Sequence, residues 1–448
     1  MRTKFFEETP QAALSGSMRD YRVVRGDNLV TRIDGFYQWQ NLRRQHSLWP
    51  FSRSTDSGPA PECSGRDDRG EKMQGVNFAS QDYLSLSSHP EIKAVALEAI
   101  EQYGVHSAGS PALVGNTAHS VMLERKIAEF LRMPFAALYP TGWAAGYGAI
   151  KGLVRSSDHI VIDCLAHTCL QEGANAATKN IYQHRHLDVE HARHWLATIR
   201  AKDKENGLMV VTEGLFSMDS DVPDIQAMQE LCHEFNATLL VDVAHDLGCL
   251  GEDGRGHIGL QGMLGKVDLV MGSFSKTFAS NGGFVAGHSR SLKEYLRFYS
   301  PSTTFSNALS PAQAAIVLKA FEIVDSEEGR KLRAAMMGNS VRLRKQLQGV
   351  GLDVYGEPSA IVAVKMGGEA LARLVSRRLP ELELIANLVE YPAVAKGAAR
   401  FRMQVMANHT AAQIDEAVRR MRQAFDDATA ELAWLEQAQN PAPLKATA

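Results

Sequence analysis

Four short runs in this chain, "HIVIDC", "GLMVVTEG", "ATLLVDVAH" and "VDLVMGSF", are apolar almost from end to end, and helix-like stretches such as "DIQAMQELCHEF" lie between them. A strand with one wet face alternates apolar and polar positions, whereas a run without polar positions is buried on both faces. Only a sheet covered by helices on both sides offers such burial. Strands joined through helices run mainly parallel, which predicts an α/β fold. In open sheets of this kind the residues just beyond the strand C-termini line the site. The polar groups that follow these runs are therefore the candidates for chemistry.

Around this centre the chain divides unevenly. Residues 1–75 show no clear period and end in "SRSTDSGPAPECSGRDDRGEKMQG", which reads as a loop or an arm laid over another domain. Residues 76–310 form the large domain, 311–435 a smaller C-terminal unit, and 436–448 a Pro/Ala tail expected to fray. The small unit opens on a long helical pattern from Pro311, contains the strand candidates "AIVAVKM" and "ARFRMQVMA", and closes on an amphipathic helix. Its expected class is α+β.

A net charge of -3 gives no global basic field for nucleic acid or an anionic membrane. The longest apolar stretch, "AALYPTGWAAGYGAIKGLV", is broken by Pro140, glycines and Lys151, so no transmembrane segment is expected. Five cysteines at 63, 164, 169, 232 and 249 form neither a paired framework nor a C-x-x-C site. With an N-terminus lacking a signal-like apolar segment, this points to a cytoplasmic protein.

Each strand-end motif taken alone has an ordinary reading. Asp242 and His245 in "LLVDVAHDLG" follow a wholly apolar strand, where a carboxylate needs a cationic partner to stay charged. Asp242 alone could equally cap a helix. His167 in "DCLAHTCL" could be a satisfied rim residue, and Thr141, Gly142 and Trp143 in "YPTGWAAG" a plain strand-to-helix turn. Such a turn also presents amides and a hydroxyl to a phosphate. Lys276 stands among small and hydroxylated residues in "GSFSKTFASNGG". Jointly they form a set: a phosphate cradle, a histidine, a buried acid and an amine. A phosphorylated pyridine aldehyde needs that set for its phosphate, its ring face, its pyridinium nitrogen and its aldehyde.

The ordered segments "NFASQDYLSL", "LERKIAEF", "TEGLFSMDSDVPDI", "VDVAHDLGCLGEDGRG", "GSFSKTF", "FSNALSP" and "ARFRMQVMANHT" resemble the α-oxoamine synthases, fold type I pyridoxal phosphate enzymes that include serine palmitoyltransferase and 8-amino-7-oxononanoate synthase. The resemblance implies a decarboxylative condensation of a small L-amino acid (serine, alanine or glycine) with an acyl thioester on coenzyme A or an acyl carrier protein. It implies that Lys276 takes the cofactor aldehyde and later shuttles the Cα proton, that Asp242 pairs with the pyridine nitrogen, and that His167 covers the ring. His245 and Ser217 would sit near the phenolic oxygen and substrate. Thr141, Gly142, Trp143 and Ser273 would cradle the phosphate, with Ser306 supplied by the neighbour in a homodimer. Arg402 would take the substrate carboxylate, a role suited to its bidentate fork, with Arg400 as rival on the same strand face. Glu213 is expected to fix a loop or hydrogen-bond His245 or His167.

Departures from the family pattern concern Val243 for a usual Glu, Pro111 for a frequent Arg, Thr168 and Cys169 in the usual "HAS", and Gly146 for a usual Asn. None removes a group the cofactor needs, but they leave the substrate open. A serine palmitoyltransferase-like acyl group is the first expectation, with secondary-metabolite or signal-molecule synthesis beside it. An aminotransferase would share Lys276 and Asp242, although "FSMDSDVPDI" and "GEDGRG" favour the synthases. A noncatalytic partner subunit would lack the lysine. His191 and His194 in "YQHRHLDVEHARHW" share a helix face, for which a solvated helix is the simpler account than metal.

Overall fold

The computed structural model describes residues 9–439. Two compact units divide the chain: one takes it through Ser80 and again from Gly338, and the other is Gln81–Met337.

The first unit begins with a helix, Asp34–Gln45, and three strands, β1 (Ser54–Thr55), β2 (Glu62–Arg66) and β3 (Lys72–Asn77). The segment expected as a loop is thus an antiparallel meander. Its turn is organised by Asp67, whose Oδ1 accepts the amides of Arg69 and Glu71 at 2.9 Å each. Its strands leave little periodic signal because only Cys63, Met73 and Val76 among their side chains are buried and apolar.

The second unit holds a seven-stranded sheet of β4 (Phe135–Tyr139), β5 (His159–Asp163), β6 (Ile181–His184), β7 (Leu208–Glu213), β8 (Thr238–Asp242), β9 (Leu269–Ser273) and β10 (Gly283–Gly287). The spatial order is β4-β10-β9-β8-β7-β5-β6. Only β10 runs antiparallel to its neighbours, so the sheet is mainly parallel as expected. Ile160, Ile162, Met209, Val211, Leu240 and Met271 bury one face in a core shared with small residues of the helices Gly142–Leu153 and Thr168–Ala177. Strand alternation puts Asp242 on the same face as Leu240, aimed at that helical layer.

The helix Pro311–Val324 packs against the helices Pro90–Tyr103 and Ala118–Phe130 of this same unit. Phe321, fully buried, meets Phe130 and Phe278 at ring distances of 5.0 and 4.2 Å. This corrects the expected boundary: the small unit begins at Gly338, within the helix Glu327–Gly349, and not at 311.

From there the first unit resumes with β11 (Ile361–Gly367), β12 (Leu384–Ile385), β13 (Asn387–Val389) and β14 (Ala399–Gln404). Strands β11, β14 and β13 form an antiparallel sheet, while β12 pairs in parallel with β3. The closing helix runs Ala411–Gln439, four residues into the expected tail; positions 440–448 lie outside the described residues.

Residues 9–75 of the expected arm are built into this unit. Arg43, fully buried, donates to Glu390 Oε1 at 3.1 Å, and Arg373 donates to Glu390 Oε2 at 2.7 Å and to the Leu14 carbonyl at 2.8 Å. The Arg43 guanidinium also lies 4.8 Å over the Trp39 ring. Removing one member of a buried charge set strands the others without compensation. Glu390→Gln is expected to destabilise this unit by ~3–5 kcal/mol, read as an earlier transition in a urea melt. Among the described residues no helix is long and apolar enough to cross a membrane.

Candidate active site

Beyond the C-terminal ends of β4, β5, β7, β8 and β9 lies a cavity of about 220 Å³ lined by Thr141, Gly142, Trp143, His167, Cys169, Glu213, Asp242, His245, Ser273 and Lys276, among others. Five separate strand ends thus converge on one space. The parallel sheet forces this, because every strand of that set points its C-terminus the same way.

Thr141 caps the helix Gly142–Leu153, its Oγ1 accepting the Ala144 amide at 3.0 Å. The first amides of the helix have no intrahelical acceptor and point outward with the positive end of the helix dipole. Gly142 is indispensable to this approach, since a Cβ there would stand 2.3 Å from the Ser273 Cβ. Ser273 Oγ lies 2.7 Å from Ser275 Oγ, so two hydroxyls face the same end of the cavity. Helix amides, hydroxyls and no side chain at Gly142 make a fitting seat for a phosphate. Gly142→Ala is expected to reduce pyridoxal phosphate affinity by about 100-fold, measured by fluorescence titration of the apoprotein, because the added methyl displaces Ser273.

Asp242 and Glu213 are register partners on β8 and β7, so two buried carboxyls stand side by side. Burial raises Asp242, while the neighbouring His167 and Lys276 pull it down. Burial, reinforced by Asp242, pushes Glu213 well above the usual carboxyl range. Two adjacent carboxyls do not both ionise in such surroundings. Both carboxyls are raised by burial, Glu213 the more strongly, so a proton shared by the pair is held preferentially on Glu213. Asp242 Oδ1 accepts the Ala244 amide at 2.9 Å, which fixes the carboxylate plane. Glu213 Oε1 accepts the backbone amide of His167 at 2.5 Å, so it sets the position of that residue through its main chain.

His167 caps the helix Thr168–Ala177. Its Nδ1 accepts the Cys169 amide at 3.2 Å and lies 3.0 Å from Cys169 Sγ. With Nδ1 serving as acceptor, the ring proton belongs on Nε2. Cys169 is 2% exposed and burial pushes its thiol upward, so it is a neutral hydrogen-bonding group and not a nucleophile. Gly146 explains why a sulfur fits here, because a Cβ at that position would stand 2.5 Å from Cys169 Sγ. The two departures from the family pattern are therefore one local arrangement.

His245 Nδ1 lies 2.9 Å from the hydroxyl of Tyr83, which is fully buried. Sequence reasoning did not single out Tyr83, although it stands in the quoted segment "NFASQDYLSL". Lys276 is half-buried in the loop after β9, facing the cavity with Ser275.

Other expected residues lie elsewhere. Ser217 is buried in the loop Phe216–Asp221 and does not line the cavity. Ser306 stands in a segment tied to residues 106–109 through Ala308 N–H to Gly109 O at 2.8 Å, also off this cavity. Arg402 and Arg400 belong to β14 in the other unit. Arg400 donates to the Ala398 carbonyl at 2.9 and 3.1 Å and covers the Tyr355 ring at 4.2 Å. His191 Nδ1 accepts the Arg185 amide at 2.8 Å, and among the described residues no group of three or more His, Cys, Asp or Glu is arranged to hold a metal.

The aminotransferase class I and II family profile matches residues 74–421. An 8-amino-7-oxononanoate synthase of Geotalea daltonii is 34% identical over 76% of this chain and 86% of its own length. A serine palmitoyltransferase of Sphingobacterium spiritivorum is 33% identical over 79% of this chain and 87% of its own length. Among solved structures, the serine palmitoyltransferase of S. paucimobilis with bound PLP–myriocin aldimine superposes with a TM-score of 0.84 at 26% identity, covering 90% of this chain and all of that one.

Proposed function

Because the chain belongs to the aminotransferase class I and II family, and within it to the α-oxoamine synthases, we propose that the cavity around Lys276 joins a small L-amino acid to an acyl thioester with loss of carbon dioxide. Its cofactor is pyridoxal phosphate. The observation that carries the reading is the convergence of Lys276, Asp242, His167 and the Thr141–Trp143 helix start on one cavity.

When bound, the cofactor supplies an electron sink for negative charge developing at the amino acid Cα. The chain's own groups hold and aim it. The helix start with Ser273 would hold the phosphate, His167 would lie against the ring, and Asp242 would pair with the ring nitrogen. Lys276 Nζ would take the Cα proton, Cα would then attack the thioester carbonyl and expel the thiolate, which takes a proton from solvent, and after loss of carbon dioxide Lys276 would return its proton to Cα to give an α-amino ketone. The family resemblance gives the substrate carboxylate to Arg402, whose planar guanidinium suits a bidentate carboxylate.

The finer substrates follow from weaker support. Serine with a long acyl chain, carried on coenzyme A or a carrier protein, is the reading favoured by the likeness to serine palmitoyltransferases. A homodimer is supported by Ser306 lying off its own chain's cavity and by Phe305, Leu113 and Val114 being 88%, 83% and 86% exposed. The test is the visible spectrum of the purified protein titrated with glycine, L-alanine and L-serine. A band that one amino acid shifts saturably identifies the nucleophile, and the absence of any band after pyridoxal phosphate is added overturns the reading.

A further inference from the structure

His186 belongs to the turn after β6 and has no part in the chemistry above. Its Nδ1 lies 2.9 Å from Asp163 Oδ1, and its Nε2 lies 2.9 Å from Asp221 Oδ2. A neutral imidazole has one N–H, whereas two ionised carboxylates can only accept. Both ring nitrogens facing carboxylate oxygens therefore call for an imidazolium.

The two carboxylates organise different pieces of the site. Asp163, fully buried at the end of β5, takes the Leu165 amide on Oδ1 at 2.8 Å and the Leu187 amide on Oδ2 at 3.0 Å. Its carbonyl takes the Ala166 amide at 3.0 Å, so Asp163 shapes the turn that delivers His167. Asp221 closes the loop that carries Ser217, pairing its carbonyl with the Phe216 amide at 3.0 Å. Its other carboxylate oxygen, Oδ1, is buried with no hydrogen-bond partner, which leaves His186 as the cation that meets its charge. The Phe216 ring stands edge-on to His186, centroids 4.5 Å apart.

We propose that His186 is a positioning residue, an imidazolium strut that ties the loop Phe216–Asp221 to the turn bearing His167 and so holds His167 in register with the cavity. This rests on the reading of His167 given above. The groups facing the ring are Asp163 from the end of β5 and Asp221 and Phe216 from the loop after β7, while the Cys164 thiol meets the His186 backbone. On its own turn Arg185 is occupied by Asp188, and His184 Nδ1 donates to the Arg185 carbonyl at 2.8 Å. Hydrogen bonds to both carboxylates outweigh the cost of burial and raise the His186 pKa to about 9. The strut is therefore intact at neutral pH and is lost as pH rises through that value.

Two measurements on the holoprotein test this. In a long-range ¹H–¹⁵N spectrum of histidine-labelled protein, the ring signal missing from His186→Gln should show both nitrogens protonated at neutral pH and titrate near 9. A single neutral tautomer at neutral pH would overturn the strut. In amino-acid titrations of the visible band, His186→Gln and Asp221→Asn should each keep the band but raise the half-saturating concentration about 10-fold, with the double variant no worse than the weaker-binding single. Additive losses, or unchanged saturation, would show that the pair does not act on the site. A wild-type protein with no band at all would fail the proposed function instead, while the nitrogen spectrum still judges the strut.

Discussion

Lys276→Ala is expected to abolish condensation, with turnover reduced by at least ~10⁴-fold, because one side chain supplies both the covalent anchor for the aldehyde and the base for the Cα proton. The fold should survive the change. Lys276 is half-buried at the cavity edge, and its removal uncovers no apolar core. The informative result is a split: an unchanged melting profile and retained phosphate-anchored cofactor, with no product by mass spectrometry. Removal of the amine also deletes a cation that pulls the Asp242 pKa down, so Asp242 in the variant should titrate higher. A variant retaining a tenth of the wild-type rate would mean that the proton leaves by another route.

Asp242→Asn should be nearly as severe, with kcat lowered by about 10³-fold while the cofactor still binds. Asparagine is isosteric, and its carbonyl oxygen can still accept the Ala244 amide that Oδ1 holds at 2.9 Å. What disappears is the charge that keeps the ring nitrogen protonated, and with it the sink for charge at Cα. Glu213 is a poor substitute, because burial holds its carboxyl well above the usual range and its Oε1 is engaged by the His167 amide. Steady-state rates with and without the substitution, with the visible spectrum recorded alongside, decide the matter. A loss smaller than tenfold would remove Asp242 from its role.

Much of this site was legible because the sheet writes it into the sequence. Wholly apolar runs mark the central strands, and the polar residues at their ends follow from them: Asp242 closes β8, and Thr141, His167 and Lys276 come just after β4, β5 and β9. The residues that escaped notice act across the chain and not along it. Tyr83 reaches His245 over 162 positions, and no local pattern signals that contact. Strands β2 and β3 bury little apolar surface, so their pairing left no periodic trace. The helix Pro311–Val324 reads as the start of a new unit, yet its ownership is decided by Phe321 meeting Phe130 and Phe278. Glu213 was expected to fix a loop or bond a histidine; it does so through the amide of His167, a main-chain partner that side-chain reasoning does not reveal.

The closeness of Gly146 to Cys169 also orders the mutational routes open to this protein. A side chain at 146 would meet the sulfur at 2.5 Å, with Leu170 and Met271 carbons at 3.2 and 3.3 Å closing the remaining directions. An asparagine therefore cannot enter at 146 while Cys169 is in place, whereas a shorter hydroxyl at 169 opens the space first. A double variant is therefore expected to fold where Gly146→Asn alone is strained, because the two positions share one small volume.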